Sequence, residues 1–216
     1  ADDQAETVLM HVLRGAGLAG LIGMSPVTSM RELQSSGGDV GRLLLVRPLL
    51  GVTRADIESY CQSRGLYPRE DATNTDLTLL RNRLRHEILP ILASVNPKIS
   101  TGLRRMASLA AADHQVLCAA RELAWDEVLV DLCEDRVVFD RACFDNMLCG
   151  LRRSLIRAAV AQLRPEQRSV DYEPIALAAD FSLKAAVGQS IPLPGSLALE
   201  IDYDHLTIGP AGVVRP

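Results

Sequence analysis

The chain opens with acids, continues as an apolar run at helical spacing and leaves through glycines: Asp2-Asp3-Gln4-Ala5-Glu6-Thr7, then Val8 to Leu13, then Arg14-Gly15-Ala16-Gly17-Leu18. Few structures fit that order besides an amphipathic helix with a sharp exit. The spacing predicts a helix from Asp3 to Arg14, with Val8, Leu9, Val12 and Leu13 as its apolar stripe and Gly15 as its stop. Asp3 and Glu6, three apart, project from one face near the N-terminus, where the helix dipole favours negative charge. Two readings stand side by side. The pair can hold a cationic amine, or Asp-x-x-Glu is a capping box that only satisfies backbone N–H groups. His11 lies in the same helix and is given no role.

A glycine-rich connector follows over residues 15–30, and residues 31–41 read as a surface hairpin or loop. Leu43 to Val46 is a continuous apolar run, consistent with a buried strand. Thr53 and Asp56 form a capping box for a helix that turns Ile57, Tyr60 and Cys61 inward and ends at Gly65. Asp71-Ala72-Thr73-Asn74-Thr75-Asp76 is turn and cap chemistry. It leads into a helix over 77–89 with Leu77, Leu80, Leu84 and Ile88 on one face, ended or kinked by Pro90.

On another face of that helix lie Arg81 and Arg85, at i and i+4, with Arg83 and His86 nearby. An arginine pair so spaced can clamp a phosphate or carboxylate, or it can be a solvated basic face. Asn96 and Pro97 start a long helical stretch over 97–133, with Ile99, Leu103, Met106, Leu109 or Ala110, Leu117, Ala120 and Leu123 at helical spacing. Lys98, Arg104 and Arg105 lie outward. With the arginines of 81–85 they form either a basic strip for an RNA backbone or an ordinary charged exterior. Arg47 is a further candidate contact to phosphate or RNA, or a plain surface arginine.

Beyond 133 the spacing predicts a short strand or extended link at Val137–Phe139 and helices near 141–148, 150–163 and 174–186. The second of these carries Arg152, Arg153 and Arg157 on its exposed side. Residues 190–193, 197–201 and 205–208 read as strands. Domains are expected at 1–96, 97–187 and 188–216.

The chain has 216 residues, 48% of them hydrophobic and 23% charged, enough for a substantial core in one or two domains. A net charge of -4 gives no general signal for nucleic acid, so RNA contact has to rest on local clusters. Aromatic residues make up 4%, too few for base stacking to dominate recognition. Five cysteines, none in C-x-x-C spacing, point to a reduced, cytoplasmic setting and to no zinc or redox motif. No apolar run is long enough to span a bilayer, so no membrane partner is expected.

Asp2-Asp3-Gln4-Ala5-Glu6-Thr7 with Leu13-Arg14-Gly15-Ala16-Gly17-Leu18 resembles the acidic motif of the tRNA(Ile)-lysidine synthetases, a family of the PP-loop ATP pyrophosphatase superfamily. The run Gly15 to Met24 is similar to the family's glycine-rich connector. Arg47-Pro48-Leu49-Leu50 with Arg54, Ile57 and Tyr60, and Asp71-x-x-Asn74-x-Asp76 with Arg81-Asn82-x-x-Arg85 and Pro90, match later family features in order. Ser36-Gly37-Gly38-Asp39 departs from the family's Ser-Gly-Gly-x-Asp-Ser phosphate loop, because Asp39 comes one position early and no serine follows. The resemblance therefore implies a chain truncated at its N-terminus, with a motif that usually begins with two histidines.

The fold so implied is mostly helical with short strands: the C-terminal half of an α/β PP-loop nucleotide-binding domain, then a helical domain and a small β element. The implied activity is ATP-dependent ligation of free lysine to the wobble cytidine of an isoleucine tRNA with anticodon CAU, through an adenylated intermediate. Asp3 and Glu6 would hold the lysine amines and accept a proton. Arg81 or Arg85 would bind the lysine carboxylate or the adenylate phosphate. Arg47, Arg83, Lys98, Arg104 and Arg105 are the candidate tRNA contacts. ATP and magnesium are the implied cofactors, with no metal ligand assigned in this chain, which alone is expected to be inactive. A homodimer is left open. The rival readings are a non-catalytic tRNA-binding helical module and another PP-loop tRNA-modifying enzyme such as a thiolation enzyme, which generally uses the paired cysteines absent here.

Overall fold

The computed structural model describes residues 1–29, 43–69, 72–167 and 170–212. The chain divides into two compact units, Ala1–Gln115 and Val116–Pro216. The loop expected over 31–41, with Ser36-Gly37-Gly38-Asp39, and Asp71 lie outside the described residues.

In the first unit, α1 (Asp2–Leu13) buries Ala5, Glu6, Val8 and Leu9. The expected stripe is shorter than its spacing suggested, because Val12 and Leu13 are exposed. Gly15, at φ 72°, ends the helix in the left-handed region that glycine adopts without strain. The connector contains one helical turn, α2 (Leu18–Leu21), and leads into β1 (Val27–Ser29). β1 pairs antiparallel with β2 (Leu44–Val46), Val27 opposite Val46 and Ser29 opposite Leu44. The strand expected to be buried is exposed throughout, since among the described residues the ribbon has two strands.

Thr53 and Asp56 form the expected capping box at the head of α3 (Arg54–Ser63). The Thr53 hydroxyl and amide hold the Asp56 carboxyl below the usual range. The helix buries no residue, so the inward facing expected of Ile57, Tyr60 and Cys61 is not observed. Ile57 and Tyr60 are exposed, and Cys61 is half-buried.

The helix expected over 77–89 begins later and runs past its predicted stop. A 3₁₀ turn (Ala72–Thr75) precedes α4 (Leu80–Arg83), a π turn follows at Leu84–Ile88, and α5 (Leu89–Val95) continues. Pro90 neither ends nor breaks it. The wider turn lies just ahead of a residue that has no N–H to donate and whose ring crowds the carbonyl four residues back. Leu84 is buried and Ile88 half-buried, whereas Leu77 and Leu80 are exposed.

The next helix, α6 (Ile99–Val128), starts after Asn96, whose side chain accepts from the Lys98 amide at 3.0 Å. Its Leu103 and Ala107 pack with Ala5, Val8, Leu9 and Leu84 to form the small core of the first unit. Leu109, Leu117 and Leu123 are exposed despite their helical spacing.

In the second unit α6 stops at Val128 and not at 133, and the chain turns into β3 (Leu129–Leu132). A five-stranded antiparallel sheet follows in the order β3-β4-β7-β6-β5, with β4 at Val137–Asp140, β5 at Ser190–Leu193, β6 at Leu197–Ile201 and β7 at His205–Pro210. Ile208 lies opposite both Val137 and Leu199. Against the sheet pack α7 (Arg141–Asn146), α8 (Cys149–Leu163) and α9 (Tyr172–Lys184). Leu155, Ile156 and Ile175 share one core with Leu193, Leu199 and Ile208. The expected divisions at 96 and 187 therefore do not coincide with the two units, because helices and strands of the second unit share their apolar interior.

Arg152 corrects a further expectation. It is 6% exposed, and its Nε and Nη1 have no hydrogen-bond partner among the described residues. It belongs to the stripe 152–155–156–159–160–163, which is the buried face of α8. Arg153 instead donates to the Tyr172 hydroxyl at 2.6 Å and lies over its ring, and Arg157 is exposed.

Candidate active site

The start of α1 and the stretch from α4 into the π turn bring four charged side chains together. Glu6 is at the centre, with its side chain 1% exposed. Arg81 Nε donates to its Oε2 at 2.9 Å, and Arg85 Nε donates to its Oε1 at 2.6 Å. Arg85 Nη2 reaches Glu6 Oε2 and Asp3 Oδ1, both at 3.0 Å. Arg81 Nη2 is 3.5 Å from the same Asp3 oxygen. The hydrogen bond to Glu6 holds the Arg85 guanidinium above its usual pKa, against the effect of burial, and the charges of Glu6, Asp3 and Asp2 add to it.

Asp3 and Glu6 lie within α1, and their carboxylates face the arginines and not the amides of their own helix. Nor are Arg81 and Arg85 a free basic face. Two carboxylates and two guanidiniums cancel in formal charge, and Glu6 uses both oxygens on the arginines. The Asp3 side chain is 59% exposed, and its Oδ2 makes no hydrogen bond among the described residues. The Nη1 groups of both arginines are likewise unbonded there. The cluster thus presents one carboxylate oxygen beside two guanidinium edges, which suits a small molecule carrying both an ammonium and an anionic group.

A family model of the PP-loop domain matches residues 1–92, the segment that holds all four side chains. Residues 1–92 carry a PP-loop domain. The tRNA(Ile)-lysidine synthase of Dehalococcoides mccartyi is 32% identical over 208 residues, which cover 96% of this chain and 43% of that protein. The Geobacter sulfurreducens protein of the same name is 34% identical over 206 residues, 95% of this chain and 41% of its own length. A Synechococcus relative, also a tRNA(Ile)-lysidine synthase, is 34% identical over 220 residues, 95% of this chain and 60% of its own length. The chain thus spans about half the length of the relatives it matches.

Within the PP-loop segment, residues that sequence reasoning passed over hold the cluster in place. Asn82, between the two arginines, is 7% exposed and donates from Nδ2 to the carbonyls of Thr73 and Asp76, each at 2.8 Å. His86 Nε2 lies 3.1 Å from the Asn74 carbonyl. Together they tie the 3₁₀ turn to the arginine-bearing helix. On α1, Gln4 and His11 bond the glycine-rich connector. The available signal was position: Gln4 and His11 are seven apart on one helix face, next to a glycine run with few side chains to anchor it.

Asn82→Ala removes two hydrogen bonds and leaves two carbonyls to find other partners. Its expected cost is about 1–3 kcal/mol of stability in the first unit. Urea unfolding of the variant checks this through a lower midpoint at unchanged slope.

The candidate RNA contacts have mixed surroundings. Arg47 donates to the Ser25 carbonyl at 3.0 Å and to Thr28 Oγ1 at 2.8 Å, tying the chain after β2 to the start of β1. Arg83 pairs with Glu87 at 3.5 Å, and Arg104 donates to Ser100 and Thr101 on its own helix. Lys98 and Arg105 are exposed. Among the described residues no group of three or more His, Cys, Asp or Glu could hold a metal ion, and no helix is long and apolar enough to cross a membrane.

Proposed function

We propose that the protein carrying this chain ligates free lysine to the wobble cytidine of the isoleucine tRNA with anticodon CAU, and that the Asp3, Glu6, Arg81 and Arg85 cluster receives the lysine. The observation that carries this reading is the pairing of an exposed carboxylate with two guanidinium edges on a buried glutamate. Free lysine brings two ammonium groups and one carboxylate. Asp3 Oδ2 binds an ammonium, and the Nη1 edges of Arg81 and Arg85 bind the carboxylate or the phosphate of an adenylate. Glu6 holds both guanidiniums in register. An attacking amine must first lose a proton, and Asp3 is the exposed carboxylate of the cluster that can accept it. The relatives' shared name supports the choice of lysine and of this tRNA.

ATP, when bound, supplies the activation of the base. The residues present suit an α-phosphate at the arginine edges. No Ser-Gly-Gly-x-Asp-Ser run for the outer phosphates and magnesium occurs in the 216 residues. Of the candidate RNA contacts, Lys98 and Arg105 are exposed and carry no ion pair among the described residues, which supports them as contacts to an RNA backbone. The five cysteines are free thiols, which fits a reducing compartment such as the cytoplasm.

The test uses the whole protein with ATP, labelled lysine and transcripts of the isoleucine tRNA. The expected result is label in the CAU transcript, absent when the anticodon is changed to GAU. Failure of the active protein preparation to label the CAU transcript would contradict the proposal.

A further inference from the structure

Helix α1 carries Asp3 and Glu6 within its first five residues. The leading amides of a helix have no intrahelical partner, so ties to neighbouring segments steady the turn that bears them. One tie is Asp2, whose carboxylate accepts from the Arg54 amide at 2.7 Å. A more extensive one is Gln4, which sits between the two acids and faces the connector.

The Gln4 carboxamide is fully used by backbone. Nε2 donates to the carbonyls of Ile22 at 3.0 Å and Met24 at 3.2 Å, and Oε1 accepts from the Met24 amide at 2.8 Å. The contact depends on Gly23. Its φ is 70°, and a Cβ there would meet the Gln4 Nε2 at 2.8 Å and its Oε1 at 2.9 Å. Two turns along the same face, His11 Nδ1 lies 2.5 Å from the Gly20 carbonyl. A Cβ on Gly20 would come within 2.4 Å of the Ala16 Cβ. The connector is thus fastened along α1 at both ends, and its small residues permit the close approach.

We infer that Gln4 is a positioning residue for the charge cluster: its three bonds to the connector fix the start of α1, from which Asp3 and Glu6 reach Arg81 and Arg85. The role in lysine binding rests on the function proposed above, whereas the effect on the cluster does not.

The test compares the whole protein with its Gln4→Ala and Gln4→Glu variants. The glutamate keeps the acceptor for the Met24 amide but cannot donate to the two carbonyls, so it separates the two halves of the clamp and guards against misfolding of the alanine variant. Hydrogen exchange is read at the Met24 amide and at the Arg85 Nε–H, and the KM for lysine is read against kcat. The expected result for alanine is at least about tenfold faster exchange at both protons. With it comes a rise of about tenfold in the lysine KM and a smaller change in kcat, since misplacing binding groups by a fraction of an ångström is costly. Glutamate should fall between alanine and wild type. Faster exchange at Met24 with unchanged Arg85 exchange and unchanged KM would reduce Gln4 to a loop anchor and overturn the inference. Unchanged exchange at Met24 would overturn it as well. Faster exchange at both protons in a protein that makes no lysidine would support the clamp and count against the proposed function alone.

Discussion

Glu6→Gln is expected to lose activity and stability together. The substitution keeps the shape but removes the one buried charge on which both guanidiniums converge. An amide presents one oxygen and one NH₂ where three N–H donors now point, so at least one donor faces another donor. Removing one partner of a buried charge pair typically costs about 3–5 kcal/mol. Arg81 is 44% exposed, so water will compensate part of its loss, whereas Arg85 is 22% exposed and recovers less. A loss of roughly 2–4 kcal/mol in stability and a fall of about 10²- to 10³-fold in kcat/KM for lysine transfer follow. Asp3→Asn should separate the two effects. Its carboxylate is largely solvated, so stability should change by less than about 1 kcal/mol while the KM for lysine rises. Urea midpoints and kinetics on the two variants check the contrast. Lysine transfer by Glu6→Gln within a few-fold of wild type would remove Glu6 from the site.

Phe139→Ala should be the most damaging core substitution in the second unit. Phe139 is fully buried on β4, edge-on to Trp125 at 5.2 Å and stacked on Phe144 at 5.7 Å. It therefore ties the end of α6, the sheet and α7 into one core. Truncating such a ring typically costs about 3–5 kcal/mol, a large part of the roughly 5–15 kcal/mol that holds a domain folded. Thermal unfolding should show a drop of more than about 10 °C for a transition of this size. Phe139→Leu, which keeps most of the volume, should recover over half of the loss. A melting point unchanged by the alanine variant would mean that this aromatic cluster does not organise the unit.

What was legible in the sequence follows from what periodicity encodes. The head of α1, the capping box at Thr53 and Asp56, and the three C-terminal strands are local patterns, and they appear where expected. Apolar spacing, however, does not say what will pack against an element. Leu44 to Val46, Ile57, Tyr60, Leu117 and Leu123 satisfy strand or helix patterns and are exposed or nearly so. The end of α6 was hidden because Leu129 to Leu132 fits either a helix or a strand. Pairing with Val137–Asp140 selects the strand. Arg152 was misplaced because charge was weighed above its position on the stripe of α8. Within the site, all four charged residues were legible by type and order, but the acids and arginines were read as separate holders of substrate groups. Their direct pairing depends on two segments some 75 positions apart in the chain meeting in space.

If the cluster receives free lysine as proposed, a titration of the whole protein with L-lysine, following the Arg85 Nε–H signal by ¹⁵N NMR, tests it most directly. The expected result is a saturable shift that norleucine, which lacks the ε-amine, does not reproduce, and an affinity at least about tenfold weaker in Asp3→Asn. A signal that lysine leaves unmoved, or equal binding by wild type and Asp3→Asn, would contradict it.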